Sequence, residues 1–398
     1  MKLLTKDNIL FFNFIYLIIG IYVYSVLQIK EFPAKYVFTE WLINYEGGYV
    51  RKGFLGQIVF YISNIFNIDL KLIILSFQIL IYSIYFSIFY LALSKIKFNF
   101  FWILIIFSPI LFAYPLIELM VLGRKDTFVI SFFLIFSMIN YKNLNSLFFY
   151  FVIFFGVSSL IHEITIFYIF HYLLIIYLYI RLIFRVKIKT IYIIGLLVFI
   201  SFFLYLNLYL HNFVILEDII NSYGFEEGVM TTESGAFSHL KPTIGSAFLI
   251  ILGKIKFINI LKYLFIIFLN SIPFLFFIKF RNIESLKYFS AKNIFLIFFI
   301  LSLPVYGLVY DWGRVIHINY NFFVILLLFY FKLNLIDLNY LNTKLKKINY
   351  KSKISILIFI CFIFSPDILS INPLEYFPLP SQFVRFSGGI IEKIIELY

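Results

Sequence analysis

Long apolar stretches, separated by short polar segments, make up most of this sequence. Three of the longest are Ile9–Leu27, Leu70–Leu93 and Ile294–Tyr310. A helix of about 20 apolar residues crosses the hydrocarbon core of a bilayer, and only helices or closed barrels satisfy their backbone amides there. A barrel would alternate polar and apolar positions instead of forming solid apolar runs. The pattern therefore predicts an all-α, polytopic bundle of transmembrane helices.

We expect about eleven spans in a single integral membrane domain that covers residues 1–398. They lie near 8–28, 70–94, 99–117, 127–140, 146–161, 164–183, 190–210, 257–279, 294–310, 315–332 and 354–366. Two further apolar segments, 54–68 and 244–253, are too short to cross comfortably, so we interpret them as interfacial or re-entrant helices. If 244–253 did cross, the orientation of every later span would invert.

The basic residues determine the orientation that we expect. Lys2 and Lys6 precede the first span, and most other basic residues form short clusters in every second loop, as the positive-inside rule requires. The N-terminus is then cytoplasmic in a bacterial inner membrane. The outer face carries the loops 29–69 and 211–243 and the tail 367–398.

Composition excludes several classes of protein. The chain is 63% hydrophobic and 13% charged, which is far too apolar for an ordinary soluble domain. Its net charge of +13 is spread over loops and forms no patch, so nucleic acid is not an expected partner. A single cysteine, Cys361, permits neither a disulfide framework nor a cysteine metal site. We expect no metal and no cofactor.

The first polar motif is Asn44–Gly53 in the first outer loop, with the sequence NYEGGYVRKG. Its glycines permit sharp turns or a close approach of the backbone to a ligand. Glu46 would act as a catalytic acid or base, and Arg51 and Lys52 would flank a sugar or a phosphate. The alternative is a glycine turn whose two cations reach toward lipid headgroups.

The second motif is Gly123–Asp126, with the sequence GRKD. Arg124 and Lys125 lie on the outer side, against the positive-inside trend, so we expect them to bind an anionic lipid phosphate. Asp126 would be catalytic. In the alternative interpretation, Asp126 caps the helix that follows.

The third motif is the pair His162 and Glu163 between spans five and six. Ionisable residues at membrane depth are costly and indicate a functional site, and histidine moves protons near neutral pH. We therefore expect both to be catalytic. A capping pair in a tight helical hairpin explains the same residues equally well.

The fourth motif is Tyr310–Arg314, followed by His317. Asp311 would be catalytic, whereas Arg314 and His317 would bind substrate. The alternative is an ion pair between Asp311 and Arg314, which are three residues apart, beside an interfacial tryptophan. The polar loop 211–243 adds Lys241 as a further phosphate contact, and it is long enough to cover a cavity.

Cations and acids that meet at one membrane face suit a substrate with an anionic head and a lipid tail. Polyprenyl-linked oligosaccharides have this form, since cations can stabilise a phosphate leaving group and a carboxylate or histidine can take a proton from a sugar hydroxyl. Membrane lipid and other polysaccharide-assembly proteins are the further partners that we expect. No hydrolase, zinc-protease or ATPase motif is present.

With Arg51, Arg124 and Arg314 in outer loops and a polar loop at 211–243, the chain resembles the Wzy-type polymerases of O-antigen or capsule repeat units. The resemblance implies a multispanning glycosyltransferase with catalytic arginines at the periplasmic face. The runner-up is a GT-C type transferase that uses a polyprenyl-monophosphate sugar. Such enzymes carry an acid in a long first outer loop followed by interfacial helices, as Glu40 or Glu46 and the segment 54–68 would provide. A non-enzymatic transporter of lipid-linked sugars is the third possibility.

Overall fold

A computed structural model describes most of the first 349 residues. The described residues are 6–33, 35–96, 99–187, 189–208, 215–226, 229–240, 257–281, 304–307, 311–349 and 351–353, with 249, 293, 297, 300, 301, 309, 355 and 356. Within these ranges the fold is all-helical, and the only β-type pairing is an isolated bridge between Phe280 and Ile336. The all-α prediction is confirmed for this part of the chain.

The described residues form fourteen α-helices. Their bounds are α1 Lys6–Gln28, α2 Tyr36–Trp41, α3 Gly53–Phe66, α4 Leu70–Ser94, α5 Phe100–Ile106, α6 Tyr114–Ile117, α7 Asp126–Met138, α8 Leu144–Ile161, α9 Ile169–Leu178, α10 Thr190–Leu208, α11 Leu216–Asn221, α12 Phe257–Phe277, α13 Trp312–Lys332 and α14 Leu338–Lys347. A 3₁₀ segment, Glu163–Tyr168, leads into α9, and a π-helical turn, Tyr179–Phe184, follows it.

Six helical segments among the described residues are long and apolar enough to cross a membrane. They are Leu10–Gln28, Leu70–Ser94, Leu144–Ile161, Glu163–Phe184, Thr190–Asn207 and Trp312–Lys332. Such a set is typical of a membrane protein, whereas the count of about eleven spans stays a prediction. Of the other predicted features, most of the span 354–366, the whole tail 367–398, about half of 294–310 and all of 244–253 except residue 249 lie outside the described residues.

Two predicted spans differ from the structure. The segment 99–117 is not one helix, because α5 ends at Ile106 and α6 begins only at Tyr114. Pro109 lies in this break and cannot donate a backbone hydrogen bond, which explains the interruption. The segment 127–140 is the 13-residue helix α7, whose length of about 20 Å is short of a full crossing.

The chain divides into two compact units. Unit 1 comprises Met1–Tyr24, Phe86–Leu122 and Ile244–Tyr398, and unit 2 comprises Ser25–Tyr85 and Gly123–Thr243. In unit 1 the buried helix α13 packs on α12, with the rings of Phe274 and Phe323 4.2 Å apart. Ser108 donates a 2.8 Å hydrogen bond to the side chain of Asn270 within the same unit.

Aromatic side chains form the core of unit 2. The fully buried ring of Tyr172 on α9 lies 4.8 Å from Phe133, 5.2 Å from Phe136 and 5.4 Å from Phe155. These contacts join α7, α8 and α9 through large buried rings, which contribute strongly to packing. On α10, by contrast, large apolar side chains such as Ile191 and Val198 are exposed, as expected of a helix face that contacts lipid.

Candidate active site

Seven ionisable residues of unit 2 lie together at one end of its helices, and we call them the charged cluster. Glu40 lies on α2, Lys52 precedes α3, and Arg124, Lys125 and Asp126 lead into α7; His162 and Glu163 form the turn after α8. Six of the seven are buried, whereas the side chain of Glu163 is 24% exposed. The structure thus brings three of the four predicted motifs into contact.

Glu40 lies at the centre of the cluster. Its carboxylate is fully buried and lies 3.3 Å from Nζ of Lys52, 3.6 Å from Nε of Arg124 and 3.7 Å from Nε2 of His162. Burial alone raises the pKa of a carboxyl group, but the nearby cations, chiefly Arg124 and Lys52, outweigh it and hold the pKa of Glu40 well below its usual range. Glu40 is therefore a stable anion that neutralises buried cations.

His162 connects the acids of the cluster. Its Nδ1 lies 3.3 Å from Glu163 and also accepts a 3.2 Å hydrogen bond from the backbone N–H of Ile164. In the neutral ring the proton is therefore on Nε2, which lies 3.4 Å from Oδ1 of Asp126. Burial and the nearby charge of Lys52 lower the pKa of His162 below its ordinary value, so the neutral form prevails at pH 7. The alternative of a capping histidine is also correct, because this side chain caps the segment that begins at Glu163.

Lys125 lies in the interior of the cluster. It is fully buried, and its Nζ donates a 2.7 Å hydrogen bond to the carbonyl oxygen of Lys52, 73 residues earlier in the sequence. Burial lowers its pKa to about 7, although Glu40 acts in the opposite direction. The ammonium group is enclosed and holds two segments together. That Lys125 binds a phosphate stays a prediction.

Arg124 is likewise enclosed. It is 3% exposed, and its guanidinium lies over the ring of Tyr36, 4.5 Å from the ring centroid. Together with the ion pair to Glu40, this stacking fixes the planar group in place. Asp126 is the first residue of α7, so the cap position falls on Lys125, whose side chain makes no cap hydrogen bond.

Unusual backbone geometry places these side chains. Lys52 adopts a left-handed conformation with φ of 69°, and Gly123 has φ of 80°. The carbonyl of Gly123 accepts hydrogen bonds from Nε1 of Trp41 at 2.8 Å and from Nε2 of Gln78 at 3.1 Å. A β-carbon at Gly56 would overlap the carbonyl oxygen of Ile43, so only glycine lets α3 approach the first loop this closely.

The described parts of the loop 211–243 pack against the first loop. Thr39 accepts a 2.8 Å hydrogen bond from the backbone of Ala236, and the backbone of Ile215 bonds to Gly47 at 2.9 Å. Nη2 of Arg51 donates to the carbonyl oxygen of His239 at 3.0 Å. The described parts of the loop therefore contact the first loop, and Arg51 is half-buried between the two. That the loop covers a cavity stays a prediction, and Lys241 lies outside the described residues.

Glu46 lies apart from the cluster contacts. It is exposed and accepts a 2.8 Å hydrogen bond from Gln57. Closer to the cluster is Tyr49, whose ring stacks on Tyr45 with centroids 5.6 Å apart. Burial and the neighbouring charge of Glu163 raise the pKa of Tyr49 to about 12, so this phenol stays protonated. A tyrosine pair of this kind offers a flat surface for a sugar ring.

The fourth motif belongs to unit 1. Nε of Arg314 lies 3.4 Å from Asp311, as the ion-pair alternative predicted. Trp312 is buried and donates to the carbonyl of Tyr306, so it is not an exposed anchor. His317 stacks on Tyr114 with ring centroids 5.0 Å apart. That Arg314 shares a pocket with Arg124 stays a prediction.

Sequence reasoning assigned no leading role to Glu40. The available signal was an acid in the otherwise uncharged, apolar hexapeptide Tyr36–Trp41, since a carboxylate among apolar residues requires a buried cation. Within the described residues, no group of three or more His, Cys, Asp or Glu side chains is arranged to hold a metal ion.

No protein-family model matches this chain, and no curated protein or solved structure is significantly similar to it. The function therefore has to be argued from the chemistry of the charged cluster.

Proposed function

We propose that this chain is a membrane glycosyltransferase that joins polyprenyl-pyrophosphate-linked oligosaccharide repeat units at the extracytoplasmic face of a bacterial inner membrane. The observation that carries the proposal is the position of Glu163. Its side chain is 24% exposed, and its carboxylate lies 3.5 Å from Lys52 and 3.3 Å from His162, at the end of a set of apolar helices. A base, a cation and a lipid-compatible surface are thus adjacent.

In this reaction a hydroxyl of the acceptor sugar attacks the anomeric carbon of the donor. The bond between that carbon and the pyrophosphate oxygen breaks, and the pyrophosphate leaves with the bonding electrons. Glu163 accepts the hydroxyl proton, while Lys52 and Arg51 stabilise the negative charge that develops on the leaving group. Asp126 holds His162 in the orientation that supports Glu163.

Enclosed residues of the cluster act by positioning. Glu40 fixes Lys52 and Arg124, and Lys125 ties the Lys52 backbone to the start of α7. Preorganised charges of this kind cost no reorganisation during the reaction. The prenyl chain would lie in lipid against the apolar helices, and the Tyr45–Tyr49 pair would contact a sugar.

A GT-C type transferase that uses a polyprenyl-monophosphate sugar is the second candidate. One specific observation favours it: Glu40, an acid of the first loop, is buried in the charged cluster, and the apolar helix α3 follows it in the sequence. Glu40 would then orient the catalytic groups, and the product would differ: one sugar added to a growing repeat in place of joined repeats.

Deletion of the gene and analysis of the cell-surface glycan tests both candidates. A polymerase deletion leaves single repeat units on the carrier, whereas loss of a GT-C enzyme leaves a repeat that lacks one sugar. Unchanged glycan would refute both proposals.

Complementation then tests the site itself. Glu163→Gln should fail to restore the glycan while the protein inserts at wild-type level, because the amide cannot accept the proton. Glu217→Gln is the matched control, since Glu217 is an exposed acid on α11 in the same unit. Full activity of Glu163→Gln would show that this carboxylate is not the base.

A further inference from the structure

The charged cluster is already neutralised by its own side chains. At most three cations, Lys52, Arg124 and Lys125, face three acids, Glu40, Asp126 and Glu163, because burial lowers the pKa of Lys125 to about 7. His162 is neutral in the tautomer that its backbone hydrogen bond favours. A phosphate that arrives at this site therefore meets no net positive charge within the cluster. A carboxylate has to leave before a phosphate can bind strongly.

Only one of the three acids is placed to leave. The side chains of Glu40 and Asp126 are 0% and 3% exposed, whereas that of Glu163 is 24% exposed. Displacing a buried carboxylate from its cations is costly, but a partly exposed one regains water when it moves. Glu163 is thus the acid that a competing anion displaces most easily.

Lys52 is the cation at which the exchange occurs. Its Nζ lies 3.3 Å from Glu40 and 3.5 Å from Glu163, so it is shared between a fully buried acid and one whose side chain is partly exposed. A phosphate oxygen in the place of the Glu163 oxygen keeps Lys52 neutralised, and the ion pair with Glu40 keeps its position fixed. Arg51, half-buried at the edge of the first loop, is available to meet the same phosphate.

We propose that Glu163 occupies the phosphate position at Lys52 in the resting protein, and that the substrate phosphate displaces it and so releases the carboxylate that acts as base. This inference rests on the proposed function and adds to it a coupling between substrate binding and activation. The carboxylate is held by Lys52 until a phosphorylated substrate is present, which limits premature abstraction of a proton from water.

Binding of polyprenyl pyrophosphate by the purified full-length protein in phosphatidylcholine nanodiscs tests the exchange. Glu163→Gln removes the competing anion, and we expect its dissociation constant to be about tenfold lower than that of the wild type. Glu163→Asp retains the charge and should bind like the wild type, as should the control Glu217→Gln. Lys52→Gln should bind at least about tenfold more weakly.

The outcomes separate the two proposals. If Glu163→Gln binds no more tightly than the wild type while the wild type still binds, the exchange is wrong and the proposed enzyme stands. If none of these proteins binds polyprenyl pyrophosphate, the proposed function fails, and the exchange fails with it. Tighter binding by Glu217→Gln as well would show a general charge effect and would also overturn the exchange.

Discussion

Replacing Glu40 by glutamine removes the central anion of the charged cluster without changing its shape. The carboxylate is fully buried and lies within 3.7 Å of Lys52, Arg124 and His162. Lys52 keeps Glu163 as a partner, but Arg124 is 3% exposed and loses this carboxylate. Removing one member of a buried ion pair costs about 3–5 kcal/mol, because the remaining charge cannot regain water.

For a unit of this size each kcal/mol lowers Tm by roughly 2–4 °C. We therefore expect Glu40→Gln to lower the Tm of the detergent-purified protein by about 10 °C. Glu217→Gln, the exposed control, should change it by about 1 °C or less, since surface substitutions rarely exceed ~0.5 kcal/mol. Thermal unfolding followed by fluorescence measures both.

A double-mutant cycle with Arg124 makes this prediction specific. Because each single substitution already removes the ion pair between these two side chains, Glu40→Gln together with Arg124→Gln should cost about 1–3 kcal/mol less than the sum of the two. Additive effects, or a Glu40→Gln protein as stable as the wild type, would refute the assignment of Glu40 as the buried counter-ion of the cluster.

Three further predictions follow from the same unit. The pKa of Lys125 is about 7 in the folded protein and higher in the unfolded chain, so the unfolded chain binds more protons. The free energy of unfolding should therefore rise by about 2 kcal/mol from pH 7 to pH 9. The difference in Tm between the wild type and Lys125→Met, measured across that range, should show this rise, and an identical pH profile of the two proteins would contradict it. Gly56→Ala should prevent correct folding because its β-carbon would overlap the Ile43 carbonyl, whereas Gly195→Ala, with open space around it, should be neutral in the same folding assay. Arg51→Ala should reduce glycan formation at least about tenfold with unchanged Tm, since its one described hydrogen bond joins exposed loops; a parallel loss of Tm would make its role structural.

Apolar runs were sufficient to predict the helices α4, α8 and α10 within a few residues. Such runs contain no information about interruptions, so the break between α5 and α6 at Pro109 was missed. The shared position of the motifs around Lys52, Arg124 and His162 followed from alternation of the spans, which places every second loop on one side.

Side-chain burial within the site could not be read from the sequence. From the sequence, Lys125 and Arg124 looked equally able to bind a phosphate. What distinguishes Lys125 is its hydrogen bond to the carbonyl oxygen of Lys52, and the left-handed turn at Lys52 is a property of the folded loop. The role of Glu40 depends on cations 12 and more residues away along the chain, so no local pattern indicated it. Glu163, by contrast, was correctly grouped with His162, because adjacent residues in a tight turn must remain close.

The position of the charged cluster relative to the membrane is the most direct test of this account. The test uses single cysteines in place of Glu46 and Glu217, which are exposed in the loops 29–69 and 211–243, and in place of Lys142 and Arg185, which are exposed at the other helix ends of unit 2. Each is treated with a membrane-impermeant thiol reagent in spheroplasts after Cys361 is replaced by serine. Labelling of 46 and 217 in intact spheroplasts, with 142 and 185 labelled only after permeabilisation, is the predicted result. Labelling of 46 and 217 from opposite sides, or only after permeabilisation, would contradict a site on the extracytoplasmic face.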